Sequence, residues 1–185
     1  MSIKTKFILH GGFDKGAEQA NDAFFAEMLK DTPNEVKILL VYFAEEPDRI
    51  EERRESDLKQ FNKNKGDKIL SFKTTGEENF PEQVRGADVV YLHGGRSGRL
   101  LEALKKYPNI KELFEGKIVA GDSAGANVLA GAFYSRRAGA FEGLGLIPIK
   151  IISHYREENK DKINHLRPEL ETIHLKEYEF KVFEV

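Results

Sequence analysis

The residues Lys117-Ile118-Val119-Ala120-Gly121-Asp122-Ser123-Ala124-Gly125-Ala126-Asn127-Val128-Leu129-Ala130 pass from a short apolar run through Gly-x-Ser-x-Gly into helix-forming residues. That order predicts a strand, a sharp turn and a helix. A serine at the apex of such a turn has its hydroxyl pushed clear of the sheet. Gly121 and Gly125 put no side chains into the cramped backbone around it. The same turn aims the backbone N–H of Ala124 and the start of the helix at any oxyanion formed beside Ser123. Ser123 therefore reads as a nucleophile, against the plainer reading of a glycine-rich strand-to-helix turn.

Outward from this turn the chain repeats the same alternation. Lys6-Phe7-Ile8-Leu9-His10 is an apolar run stopped by Gly11-Gly12, and residues 16–30 carry Ala20, Ala23, Phe24 and Met28 at helical spacing. Residues 36–44 are apolar enough to form a strand buried on both faces, which points to a parallel sheet. A highly charged helix is expected over 48–63, its charges forming a solvated face, and a short strand over 68–72. A fourth strand, 87–93, ends in Gly94-Gly95-Arg96-Ser97-Gly98 ahead of another helix. Glycines at the carboxyl end of a strand bring bare backbone N–H groups to the edge where open α/β sheets bind ligands.

Residues 130–141 read as a loop or short strand near the serine, and 145–154 as a sixth strand ending at His154. Residues 155–168 are polar and expected to be helical in part. The tail alternates with period two and predicts a closing hairpin at the sheet edge. The fold class expected is thus α/β, a doubly wound and mostly parallel sheet with helices on both faces. No repeat or linker divides residues 1–185, so one domain is expected.

Composition narrows the chemistry. Lys+Arg 29 against Asp+Glu 31 leaves a net charge of −2, and the basic residues form no long run, so no nucleic-acid partner is expected. No apolar stretch reaches the ~20 residues of a membrane span, and the opening residues lead into a strand rather than a signal peptide, which predicts no membrane partner and a cytoplasmic location. There is no cysteine, which excludes disulfides, thiolate metal sites and cysteine nucleophiles. The five histidines show no metal-ligand spacing, so neither a metal nor another cofactor is expected.

A serine nucleophile needs a base, and the base needs an orienting acid. His154, at the end of a predicted strand, is the best-placed base. His93 also closes a strand beside a glycine pair, and His10 lies in the first loop. For the acid, Glu142 is the sole carboxylate between Ser123 and His154, with the reading of a solvated loop residue beside it. Glu157 and Glu158 follow His154 directly, and Asp122 flanks the serine.

Leu92-His93-Gly94-Gly95, then Gly121-Asp122-Ser123-Ala124-Gly125-Ala126, then Gly143-Leu144-Gly145-Leu146-Ile147-Pro148 with His154-Tyr155, together resemble the dipeptidase E and cyanophycinase family of serine peptidases. The resemblance spans nearly the whole chain and implies a fold similar to class I glutamine amidotransferases. It implies Ser123 as nucleophile and His154 as base, with an oxyanion hole from the backbone of Gly95 and Ala124, and Glu142 resembles the Glu that other members of the family carry. The implied substrate is a small aspartyl peptide; its acidic group would want a cationic partner, for which Arg96 and Arg137 are the candidates, with Gly94 also expected at the substrate site. Arg96 stands where the family usually has Asn, and Ser135-Arg136-Arg137 where dipeptidase E has an Asp. The other functions considered are a non-catalytic binding module on the same fold and an esterase or amidase. Both a monomer and a homodimer are open.

Overall fold

The computed structural model describes residues 4–13 and 18–185. Its main sheet has six strands: β1 (Lys6–His10), β2 (Glu35–Val41), β3 (Ile69–Thr74), β4 (Val89–Leu92), β5 (Ile118–Asp122) and the C-terminal β10 (Phe180–Glu184). They are ordered β10-β1-β5-β4-β2-β3, all parallel except β10, which runs antiparallel to β1. This is the expected α/β class.

Strand alternation decides which face each residue serves. Ile8, Ile38, Leu40, Val89 and Tyr91 face α1 (Asp22–Leu29) and α2 (Ile50–Asn64), where they meet Phe24, Phe25, Met28 and Phe61. Phe7, Leu9, Leu39, Val41, Val90 and Leu92 face the other way, toward α3 (Phe80–Arg85), α4 (Ser97–Leu104), α5 (Ile110–Phe114) and α6 (Ala124–Leu129). Helices therefore cover both faces. The helix expected over 16–30 is α1, preceded by the 3-10 turn Glu18–Asn21; positions 16 and 17 lie outside the described residues.

Three sequence expectations are corrected. The run 145–154 forms β8 (Ile147–Ile152), but β8 belongs to a second sheet ordered β7-β6-β8-β9, with β6 (Ala130–Ser135), β7 (Gly139–Glu142) and β9 (Glu171–His174). β6 starts directly after α6 with small residues that resemble a helix continuation. Strand β8 is buried on both faces, a pattern that identifies a strand without saying which sheet holds it.

The tail forms two strands that do not pair with each other. β9 runs parallel to β8, whereas β10 crosses to the main sheet and pairs with β1. Period two is the same whichever partner a strand finds. Between Tyr155 and Pro168 the helical content is one 3-10 turn, Glu157–Asn159, and the remainder is turns. Phe133, Ile149, Ile151 and Ile173 of the second sheet share one core with Leu9, Val90 and Val119 of the first. The two sheets thus pack as one body.

Candidate active site

Parallel strands end on one edge, and here register aligns Leu9 and Leu92 with Gly121 on either side of β5. The residues following β1, β4 and β5 therefore meet. Ser123 sits between β5 and α6 at φ 47 and ψ −96, a left-handed conformation that non-glycine residues adopt only under constraint. The constraint is visible. Its N–H donates to His10 O at 3.1 Å, its carbonyl accepts the first helical bond from Asn127 N–H at 2.9 Å, and a Cβ on Gly125 would lie 2.2 Å from Leu92 O. Only glycine fits where the turn is pressed against β4.

His154 follows β8 by two residues, also with positive φ, at 48. Its N–H donates to Gly11 O at 2.7 Å. Its Nε2 lies 3.0 Å from Ser123 Oγ, and its Nδ1 lies 3.1 Å from Glu177 Oε1. A carboxylate only accepts, so Nδ1 carries the proton toward Glu177 and Nε2 accepts the Ser123 hydroxyl proton. The His154 and Glu177 side chains are each about a quarter exposed (25% and 26%), so this hydrogen-bonded line opens to solvent.

The carboxylate at His154 is thus Glu177 and not Glu142. Glu142 is exposed on β7, in register with Ala132, and makes no hydrogen bond to His154. Glu157 accepts the Tyr155 hydroxyl at 2.7 Å, and Asp122 engages His10. Sequence order alone did not single out Glu177. Its signal was a carboxylate two positions past the alternating stretch 171–175, whose parallel pairing with β8 brings both strand ends to the same edge.

Gly94 and Gly95 lie alongside the serine turn. A Cβ on Gly94 would come within 2.8 Å of Asp122 Oδ2, and one on Gly95, whose φ is 139, within 2.5 Å of Ala44 O. The loop is wedged between Asp122 of β5 and Ala44, three residues past β2, on the strand edge where the serine turn also lies. Arg96 does not stand free. Its Nη2 is 3.2 Å from Glu46 Oε1, and Arg99 Nη1 is 3.0 Å from Glu46 Oε2. Arg137 is exposed in the turn between β6 and β7, with no hydrogen bond or ion pair to Ser123, His154 or Glu177.

A layer of buried polar groups underlies the site on the α1/α2 face. His10 Nδ1 is 2.9 Å from Asp122 Oδ1. His93, just past β4, has Nδ1 2.8 Å from Asp57 Oδ2 of α2; the Tyr42 hydroxyl donates to the same oxygen at 2.8 Å. Burial pulls the His93 pKa down, but the charge and hydrogen bond of Asp57 outweigh it and hold the pKa above its ordinary value. Burial, reinforced by Asp57, pushes the Tyr42 hydroxyl far up, so it remains a donor. His10 and His93 are thus both engaged beneath the site. Among the described residues no group of three or more His, Cys, Asp or Glu could hold a metal ion, and no helix is long and apolar enough to cross a membrane.

The arrangement joins a strained serine, an imidazole and a carboxylate in one line, beside a glycine loop. Solved structures of similar fold include a peptidase from an acI-B1 Actinobacterium, with TM-score 0.72 and 21% identity over 99% of this chain and 85% of that one. Another is a protein named as a peptidase E from Listeria monocytogenes EGD-e, with TM-score 0.66 and 16% identity over 98% of each chain. Comparison with curated protein sequences gave no match. Residues 7–179 match peptidase family S51. With the match spanning nearly the whole chain, this protein belongs to peptidase family S51, the dipeptidase E family, and is a serine-type peptidase.

Proposed function

We propose that this peptidase hydrolyses small aspartyl peptides through an acyl-enzyme on Ser123. The observation that carries the mechanism is the relay of 3.0 Å from Ser123 Oγ to His154 Nε2 and 3.1 Å from His154 Nδ1 to Glu177. His154 takes the hydroxyl proton as Ser123 Oγ attacks the peptide carbonyl. Glu177 holds the ring orientation and stabilises the imidazolium. The backbone N–H groups of Gly95 and Ala124 receive the oxyanion, each such donor contributing about 3 kcal/mol to barrier lowering. His154 then protonates the leaving amine, and water, deprotonated by the same nitrogen, releases the acid.

An acidic substrate group has cations to meet beside the glycine loop. Arg96 and Arg99 bracket the carboxylate of Glu46, an exposed arrangement that a substrate carboxylate can replace at small cost. The test is hydrolysis of dipeptides with N-terminal Asp, β-Asp, Glu, Leu and Lys by the wild type, Ser123→Ala, Glu177→Gln and Glu142→Gln. Turnover is expected for the aspartyl peptides and is abolished in Ser123→Ala. Glu177→Gln lowers kcat on the order of 10²- to 10⁴-fold, while Glu142→Gln leaves it within a factor of about two. A Glu142→Gln loss with Glu177→Gln active overturns the assignment of the acid. Turnover of simple esters alone overturns the substrate.

A further inference from the structure

Three consecutive residues at the end of β1, His10 to Gly12, touch each of the segments that carry Ser123, His154 and Glu177. His10 O accepts from Ser123 N–H at 3.1 Å, Gly11 O from His154 N–H at 2.7 Å, and Gly12 O from the N–H of Tyr178, next to Glu177, at 2.9 Å. Gly11 N–H in turn donates to Glu179 O at 2.8 Å. The fit is close as well as bonded. A Cβ on Gly12 would stand 2.2 Å from the His154 ring, and one on Gly11 would stand 2.0 Å from Lys176 O. Nucleophile, base and acid, drawn from separate elements, thus hang on one short stretch of backbone.

That stretch is itself held by the His10 side chain. The ring is completely buried, stacked on Phe24 with centroids 4.3 Å apart. Its Nδ1 lies 2.9 Å from Asp122 Oδ1 and 3.1 Å from Gly12 N. Nδ1 donates to Asp122 in one tautomer and accepts from Gly12 N–H in the other, and either bond ties the ring into the same loop. Asp122 immediately precedes the nucleophile, and its other oxygen occupies the space beside Gly94. Nε2 is buried with no hydrogen-bond partner among the described residues.

We propose that His10 is a positioning residue of this catalytic centre. It acts through Asp122 and Gly12, and holds Ser123, His154 and Glu177 in mutual register without touching the substrate. The inference rests on the Ser123–His154–Glu177 reading given above.

The experiment uses His10→Leu, which keeps bulk and removes the polar contacts, and His10→Asn, whose amide can reach the place of Nδ1. For each folded variant we would measure melting temperature, kcat and KM, and the rate at which a serine-reactive phosphonate labels Ser123. The proton NMR signal of His154 Nδ1–H would be recorded alongside. Expected for His10→Leu is a fall in kcat and in labelling rate on the order of 10- to 100-fold, with KM within about twofold, because small displacements of reacting groups cost rate rather than binding. The His154 signal shifts, and His10→Asn restores rate and signal to within about threefold.

Wild-type labelling and rate in folded His10→Leu, or a His10→Asn that is folded yet as slow as His10→Leu, overturns the proposal. If His10→Leu does not fold, His10→Gln carries the same expectation, since its longer amide reaches past the Nδ1 position. Labelling of the wild type decides the underlying reading separately. An unlabelled wild type overturns that reading and this inference with it, whereas a labelled wild type with an indifferent His10→Leu overturns only the role of His10.

Discussion

At the scale of the residue, the site is built from backbone conformations that the chain resists elsewhere. Ser123 and His154 both hold positive φ, at 47 and 48, and each is pinned by a backbone bond, Ser123 to the last residue of β1 and His154 to Gly11 just after it. Gly12 is where this arrangement has least tolerance, because its φ is 98 and a Cβ there would sit within 2.2 Å of both Nε2 and Cε1 of His154. Gly12→Ala is therefore expected to push the imidazole off Ser123 Oγ. The expected result is a kcat loss on the order of 10²-fold with KM nearly unchanged. Steady-state kinetics on a folded variant checks it, and a kcat within twofold of wild type would show that the ring position is not set by Gly12.

Among the elements, α2 does more than cover the sheet. Its exposed face carries the charge run, but Asp57 and Phe61 point inward, and Asp57 meets His93 at the end of β4 and Tyr42 just past β2. The helix is thereby tied to the two strand ends that frame Gly94 and Gly95. Because the His93 pKa is raised above its ordinary 6.5, the folded protein binds that proton more tightly than the unfolded chain does. The stabilisation is complete below the ordinary value and is lost as pH rises through the raised one. The melting-temperature gap between wild type and His93→Gln should be widest near about pH 6 and narrower by about pH 9. A gap that grows with pH would mean that His93 is neutral in the folded state.

For the molecule as a whole, the line from Ser123 through His154 to Glu177 crosses between two sheets. Ser123 leaves β5 of the main sheet, His154 leaves β8 of the second, and Glu177 lies in the turn between β9 of the second and β10 of the first. Their shared core makes the sheets one cooperative unit, so urea unfolding should show a single transition by far-UV circular dichroism and tyrosine fluorescence alike. Ile151→Ala, at a fully buried position three residues before His154, should lower stability by about 2–5 kcal/mol and leave that single transition intact. Two separated transitions would mean that the sheets fold independently. This geometry also explains what was legible beforehand. Local order announced the serine turn, the glycine loop and the strand ending at His154, because a strand, a sharp turn and a helix are encoded by neighbouring residues through steric and periodic preferences. The parallel α/β class followed from apolar runs buried on both faces. Glu177 and the second sheet were decided only in three dimensions. A period-two pattern is indifferent to its partner, and the pairing of β9 with β8 and of β10 with β1 is settled by packing between residues far apart in the chain. Once those strands are placed, Glu177 stands beside His154, while Glu142, nearer in sequence, is carried out to the solvent on β7.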